Sequence, residues 1–179
     1  MHTGIKIGPG DARRLPVLAP KSLPDESRMS DPLLLLLEKD RIIDLINQLF
    51  IATDKRDWPA VRRCFAEAVL FDMTSLAGGA PSRLTPEQIA AGWEEGLQSI
   101  EAVHHQVGNH RVDVRGDQAT AFCYGVASHY RSTRSGRNTR GFVGSYDFHL
   151  LRMDGRWQID SFRFNLKYID GNAELERDG

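Results

Sequence analysis

Apolar side chains alternate with polar ones on two different periods along this chain, and the change of period divides it. In the first half, Leu36, Ile43, Ile46 and Phe50 recur at helical spacing, flanked by Ile42, Leu45 and Leu49. This predicts a helix with one broad buried face. Asp31 followed by Pro32 supplies its start, an N-cap and a proline at the first helical position. Asp54 lies four residues after Phe50 and so continues the same face. A carboxylate on an apolar stripe is costly unless another group satisfies it. Asp57, Trp58 and Pro59 open a second helix whose expected inner stripe is Val61, Cys64, Phe65 and Ala68, followed by a short strand over 69–73 and a loop at Gly78 and Gly79. Thr85, Pro86, Glu87 and Gln88 form a capping box, with Leu84 and Ile89 as its hydrophobic staple. The helix that follows is expected to bury Ile89, Trp93 and Leu97.

From Val103 onward the period becomes two, which predicts four strands at about 103–115, 118–131, 140–153 and 156–168. Turn residues stand between them: Arg115, Gly116 and Asp117 in one place, Asp154 and Gly155 in another. Three helices before a run of antiparallel strands imply an α+β domain, with the helices on one face of a curved sheet. In the second strand Phe122, Tyr124, Val126 and Tyr130 share one face, while Ala119, Ala121, Cys123, Gly125, Ala127 and His129 share the other. The small face either leaves volume for a pocket or admits close helix packing. The bulky face needs a cover, and a second subunit would supply one. Val112 and Val114 are out of parity with Val103 and Val107, which places a bulge near Gly108 and Asn109. Counting from Val103, His105 faces inward and His104 outward.

Length and composition narrow the class. A chain of 179 residues that is 41% hydrophobic and 26% charged fits one globular domain. The expected boundaries are a domain over 32–172 and a tail over 173–179. Residues 1–31, rich in Gly and Pro without an apolar period, are expected to be a disordered extension, a leader or an upstream start, with Met29 as an alternative start. A net charge of −1 gives no field to attract nucleic acid or an anionic membrane. The longest apolar run, residues 33–37, is far short of the roughly 20 residues a spanning helix needs. Cys64 and Cys123 lie in apolar stretches without metal or redox spacing, which suits free thiols and a cytoplasmic location.

The chemistry available is that of Asp54 with a strand histidine. A carboxylate that accepts the proton of one ring nitrogen fixes the tautomer and leaves the other nitrogen as a base. His129 could protonate a leaving group from across the pocket, with Tyr124 and Tyr146 as further donors. His104, His105, His110, His129 and His149 make a metal site a rival, although no close pairing places two of them on one face. Phosphate loops, nucleophile elbows and cysteine-nucleophile motifs are absent from the sequence.

These pieces together resemble the SnoaL-like family of the nuclear transport factor 2-like superfamily, over about residues 35–172. The resemblance is carried by Asp54 to Trp58 at the end of the first helix and by His104 to His110 opening a strand. It is carried also by Gly116 to Ala121 at a hairpin and by Asp154 to Trp157 before the last strand. The pattern is closest to the branch holding scytalone dehydratase and hexachlorocyclohexane dehydrochlorinase, whose base is an Asp–His pair at positions matching Asp54 and His105. The dehydratase's second pocket histidine matches His129. Its two water-holding tyrosines fall on Thr53 and Met73, and its pocket asparagine falls near Tyr146. The dehydrochlorinase's arginine falls near Arg152 or Met153, so the base is kept while the substrate differs.

The resemblance implies a cone-shaped, cystatin-like fold whose substrate pocket includes Tyr146, Thr53, Met73 and Trp93. It also implies chemistry with no cofactor and no metal on a small apolar or aromatic molecule, in a homo-oligomer (dimer or trimer). The leading expectation is a cofactor-independent lyase or isomerase in which Asp54 orients His105 and His129 returns a proton, in the manner of a dehydratase or polyketide cyclase. The alternatives are a non-catalytic ligand-binding domain and an accessory subunit like the small subunit of ring-hydroxylating dioxygenases.

Overall fold

Asp31 accepts a hydrogen bond from the backbone N–H of Leu33 (2.9 Å) and thereby starts the first helix, α1 (Pro32–Asp54). The computed structural model describes residues 31–175 and 177, so the expected N-terminal extension lies almost wholly outside the described residues. A second cap, Asp57 on the N–H of Ala60 (3.0 Å), opens α2 (Trp58–Arg63). The chain continues through β1 (Phe65–Asp72), a single turn α3 (Thr74–Ala77), β2 (Ser82–Leu84) and α4 (Pro86–Gly96). The capping box of α4 is complete, with the Thr85 side chain on the Gln88 N–H and the Gln88 side chain on the Thr85 N–H. Four long strands finish the domain: β3 (Ala102–Arg115), β4 (Gln118–Tyr130), β5 (Thr139–Met153) and β6 (Arg156–Gly171).

The six strands form one sheet in the order β2-β1-β6-β5-β4-β3. All neighbours are antiparallel except β1 and β6. The sheet curls because its ladders slip in several places. Between Gly108 and Arg111 of β3, Asn109 and His110 together oppose Cys123, and Asn109 adopts a φ of 58°. Further shifts fall after Val143 and after His149. The concave face holds α1 and α4 over a core that includes Ile42, Ile46, Leu49, Val61, Val69, Ile89, Leu150 and Ile159, all nearly inaccessible to solvent.

Three local expectations need correction. Leu36 is 63% exposed, because the face of α1 turned to the sheet at this end carries Leu35 and Glu38, the latter bonded to Trp157; full burial begins at Ile42. The second helix ends at Arg63, and Ala68 is exposed rather than part of an inner stripe. Phe65 already pairs with Ile159 of β6, so pairing to a long neighbouring strand overrides helical spacing here. The turn α3 and the three-residue strand β2, both too short to carry a period, lie where only a loop was expected. The packing also runs on past residue 172: Leu175 is fully buried in a second cluster with Leu97, Ile100 and Val103.

Candidate active site

The buried stripe of α1 runs Ile42, Ile46, Leu49, Phe50 and Thr53, and Asp54 is the last residue of the helix. Thr53 satisfies its hydroxyl on the Leu49 carbonyl (2.8 Å). Beyond the helix the chain turns sharply through Arg56, whose φ is 55° and whose guanidinium bonds the Leu97 and Ile100 carbonyls. This turn fixes the end of α1 against the segment that joins α4 to β3.

β3 is a sheet edge, so an N–H on its free side has no partner strand. Asp54 meets that need at His105. Its Oδ2 accepts the His105 backbone N–H at 2.9 Å, and its Oδ1 lies 2.6 Å from His105 Nδ1. A carboxylate can only accept, so Nδ1 carries the proton and Nε2 keeps a lone pair. Phe50 stacks on the imidazole at 5.0 Å and holds the plane of the ring. The His105 side chain is 11% exposed. His104 faces the opposite way and is 76% exposed, 3.9 Å from the other carboxylate oxygen.

His105 forms part of the wall of a cavity of about 290 Å³ beneath α1 and α4. Thr53, Met73, Trp93 and Tyr146 also line it, as does His129 from β4; Asp54 stands behind His105 and does not. The rest of the wall is mainly apolar and includes Phe50, Phe142, Phe162 and Phe164. The small face of β4 both admits close packing and borders the pocket. A Cβ on Gly125 would come 2.4 Å from Tyr146 Cε2, so the middle of the strand leaves room only for the tyrosine ring. Ala127 and His129, farther along the same face, border the cavity. Burial, with Cys123 and Asp54 adding to it, pushes the Tyr146 hydroxyl well above the ordinary phenol value, so it stays a donor.

Arg140 was not among the residues expected in the site. It sits directly across the β4–β5 ladder from His129, is 8% exposed, and lines the cavity. Its Nη2 lies 3.3 Å from His129 Nδ1, and its guanidinium lies over the Phe142 ring at 4.7 Å. The signal was available, since Arg140 shares parity with Phe142 and Tyr146. It is a charge on an apolar face, the same anomaly that marks Asp54.

Other groups point elsewhere. Arg152 pairs with Asp117 (2.7 Å) and Glu38 (3.4 Å) and lies over Trp157, away from the cavity. Tyr124 is exposed on the convex face beneath Lys167. A second Asp–His pair, His149 with Asp160 at 2.6 Å, spans β5 and β6 and lies outside the cavity lining. Cys64 and Cys123 are buried free thiols that burial raises to about 11 and about 12, which makes them poor nucleophiles. Among the described residues no three His, Cys, Asp or Glu side chains converge as metal ligands. No helix among the described residues is long and apolar enough to cross a membrane.

A curled sheet wrapped around an apolar cavity beneath N-terminal helices defines the cystatin-like, nuclear transport factor 2-like class of α+β domains. Within it, a family model described as a SnoaL-like domain matches residues 35–163, and the chain belongs to that family. No curated protein matches the chain by sequence. Among solved structures it is similar to Kfla4162 from Kribbella flavida, with 22% identity over 80% of this chain and 99% of that one and a TM-score of 0.75. It is similar also to the hexachlorocyclohexane dehydrochlorinase LinA-type3 from Novosphingobium barchaimii, at 17% identity, 80% and 95% coverage and a TM-score of 0.66. A scytalone dehydratase-like protein from Novosphingobium aromaticivorans gives 14% identity, 77% and 89% coverage and a TM-score of 0.67. At these identities the likeness is one of fold.

Proposed function

We propose that this protein is a cofactor-independent lyase or isomerase that removes a proton from a small apolar or aromatic molecule, with Asp54 and His105 as its base. One observation carries the reading. The His105 ring is held by Asp54 at 2.6 Å, and His105 forms part of the wall of an aromatic cavity. With Nδ1 committed to the carboxylate, Nε2 is the nitrogen left to accept a proton from a substrate. His129 lies on the wall of the same cavity and would hand a proton or hydrogen bond to the group that gains charge. The volume of about 290 Å³ stands at the small end of ligand pockets, which span roughly 300–1,000 Å³, and suits a molecule of one or two rings. The dehydratase-like and dehydrochlorinase-like relatives in fold are consistent with elimination chemistry.

The exposed Tyr124, Tyr130 and Tyr168 on the convex face of the sheet favour a homo-oligomer in which a second copy covers them. The two free thiols suit a reducing cytoplasm.

The test works without a named substrate. Hydrogen–deuterium exchange at activated carbons is followed by NMR across a panel of one- and two-ring ketones, phenols and halocycles. Wild type should catalyse exchange into at least one compound, and His105→Ala should abolish it while keeping the fold. Binding of panel members without exchange would favour the ligand-binding reading.

A further inference from the structure

We propose that Gly92 and Gly96 of α4 form the mouth of the cavity and determine the size of the molecule that it admits. The inference rests on the reading above in taking the cavity as the site of a small molecule, and it does not depend on the base.

Among the described residues that line the cavity, Gly92 and Gly96 are the exposed ones; all the others are buried or half-buried. The cavity therefore reaches solvent along α4. The two glycines stand four residues apart in one helix and so share a line on its surface, about 6 Å apart along the axis at 1.5 Å of rise per residue. The buried stripe of the helix, with Ile89, Ala90 and Leu97, lies beside that line. Two missing side chains leave a smooth edge, comparable in length with the breadth of one ring.

Nothing in the local backbone or packing calls for glycine at these positions. Neither residue has a positive φ. A Cβ on either would meet no heavy atom of the described residues within 4 Å. By contrast, a Cβ on Gly125 or Gly144 would strike the Tyr146 ring or the Asn165 carbonyl. Glycine inside a helix is also less stable than alanine, because ordering it costs more backbone freedom. Helix stability thus favours alanine at both places, while the space that a side chain would fill is the opening of the cavity.

The frame around this opening is fixed. α4 is held by its capping box and by Trp93, whose ring lies between 5.8 and 6.1 Å from those of Phe65, Phe71 and Phe162. α3 gives the half-buried Met73 and Leu76 to the same cavity wall. It is fastened by Ser75, whose hydroxyl donates to the Phe164 carbonyl at 2.6 Å and accepts the Leu166 N–H at 2.9 Å. With both helices anchored, the side chains at 92 and 96 set the clearance.

The test uses the full chain, with 2-naphthol as a two-ring probe and phenol as a one-ring probe. Calorimetry reads affinity, and stopped-flow fluorescence of Trp93, the tryptophan of the cavity wall, reads the rates. Gly92→Ala and Gly96→Ala should each raise Tm by roughly 1–4 °C. The two together should slow 2-naphthol association by about twofold or more. A Gly92→Leu, Gly96→Leu double variant should slow it by about tenfold or more, and phenol association by less than about threefold. Dissociation of 2-naphthol should slow in step, because a narrowed mouth hinders exit as well as entry, so that Kd moves less than either rate.

A fall in Tm for either alanine variant would show that the fold requires the glycine and would overturn the proposal. Unchanged 2-naphthol association in the leucine variant, or equal slowing of the two probes, would overturn it and leave the cavity reading standing. Should the leucine variant fail to fold, Tm and 2-naphthol association in the alanine variants still decide. Failure of wild type to bind either probe would refute the cavity reading and the proposal together.

Discussion

Asp54→Asn separates the carboxylate's chemistry from its place in the fold. Asp54 accepts two hydrogen bonds from one residue, the His105 backbone N–H at 2.9 Å and the ring Nδ1–H at 2.6 Å. An asparagine has one oxygen. The backbone N–H is a fixed donor, so the amide oxygen must turn toward it and the NH₂ group must face the ring. Nδ1 then has to accept, the imidazole proton moves to Nε2, and the lone pair that faced the substrate is gone. The side chain stays nearly isosteric and both contacts persist in altered polarity. The stability loss should therefore be that of exchanging charge-assisted bonds for neutral ones, about 1–2 kcal/mol. At roughly 2–4 °C per kcal/mol for a chain of this size, Tm should fall by only a few degrees. Catalysis should fall far more, by about 10²–10⁴-fold, the usual contribution of a positioned general base. Asp54→Ala should reverse the proportions of damage by leaving the edge-strand N–H without its acceptor, and should cost more stability than the asparagine variant. The assays are deuterium exchange on the most responsive panel compound and thermal unfolding. Exchange by Asp54→Asn within about threefold of wild type would refute a base oriented by the carboxylate, since tautomer loss should cost at least 10²-fold.

Gly125→Ala should destabilise by about 1–3 kcal/mol, because the new Cβ meets the Tyr146 ring at 2.4 Å and that ring, packed among Phe50, Phe148 and Phe164, has little room to retreat. Chemical denaturation reads the loss. Asp72 is held below the usual carboxylate range by the Thr74 hydroxyl, the Thr74 N–H and Arg163. Its folded value lies below its unfolded one, so the stabilisation is present at neutral pH and fades as pH falls through the carboxylate range. Thr74→Val should accordingly lower stability most near pH 7, and the gap to wild type should narrow in acid unfolding curves. If a second copy covers the convex face, a Tyr124→Asp, Tyr168→Asp double variant should sediment as a monomer where wild type sediments as an oligomer.

The fold was legible where the chain repeats. Four strands found by alternation ended within a few residues of their predicted bounds, and the parity clash between Val107 and Val112 placed a bulge near Gly108 and Asn109, one residue before the observed pair Asn109 and His110. Both helix caps and the capping box were readable because each is a short motif with one geometric meaning. Phe65 to Ala68 misled because pairing to β6 is nonlocal, and no spacing within the segment records it. In the site, a carboxylate out of place on an apolar stripe marked Asp54 as needing a partner, and the family resemblance, not the pattern, pointed to His105. The Arg140–His129 contact was hidden, since strand parity gives a face but neither register across β4 and β5 nor the depth of a side chain. The cavity's volume likewise depends on Tyr146 lying over Gly125, a matter of packing.

The central claim is that His105, held by Asp54, takes a proton from a molecule in the aromatic cavity. A crystal structure with a panel compound bound tests it most directly. The account predicts the compound's acidic carbon within about 3–3.5 Å of His105 Nε2, the distance of a near-attack arrangement, and its oxygen at His129. A compound bound with His105 Nε2 turned away from every acidic carbon, or seated outside this cavity, would contradict it.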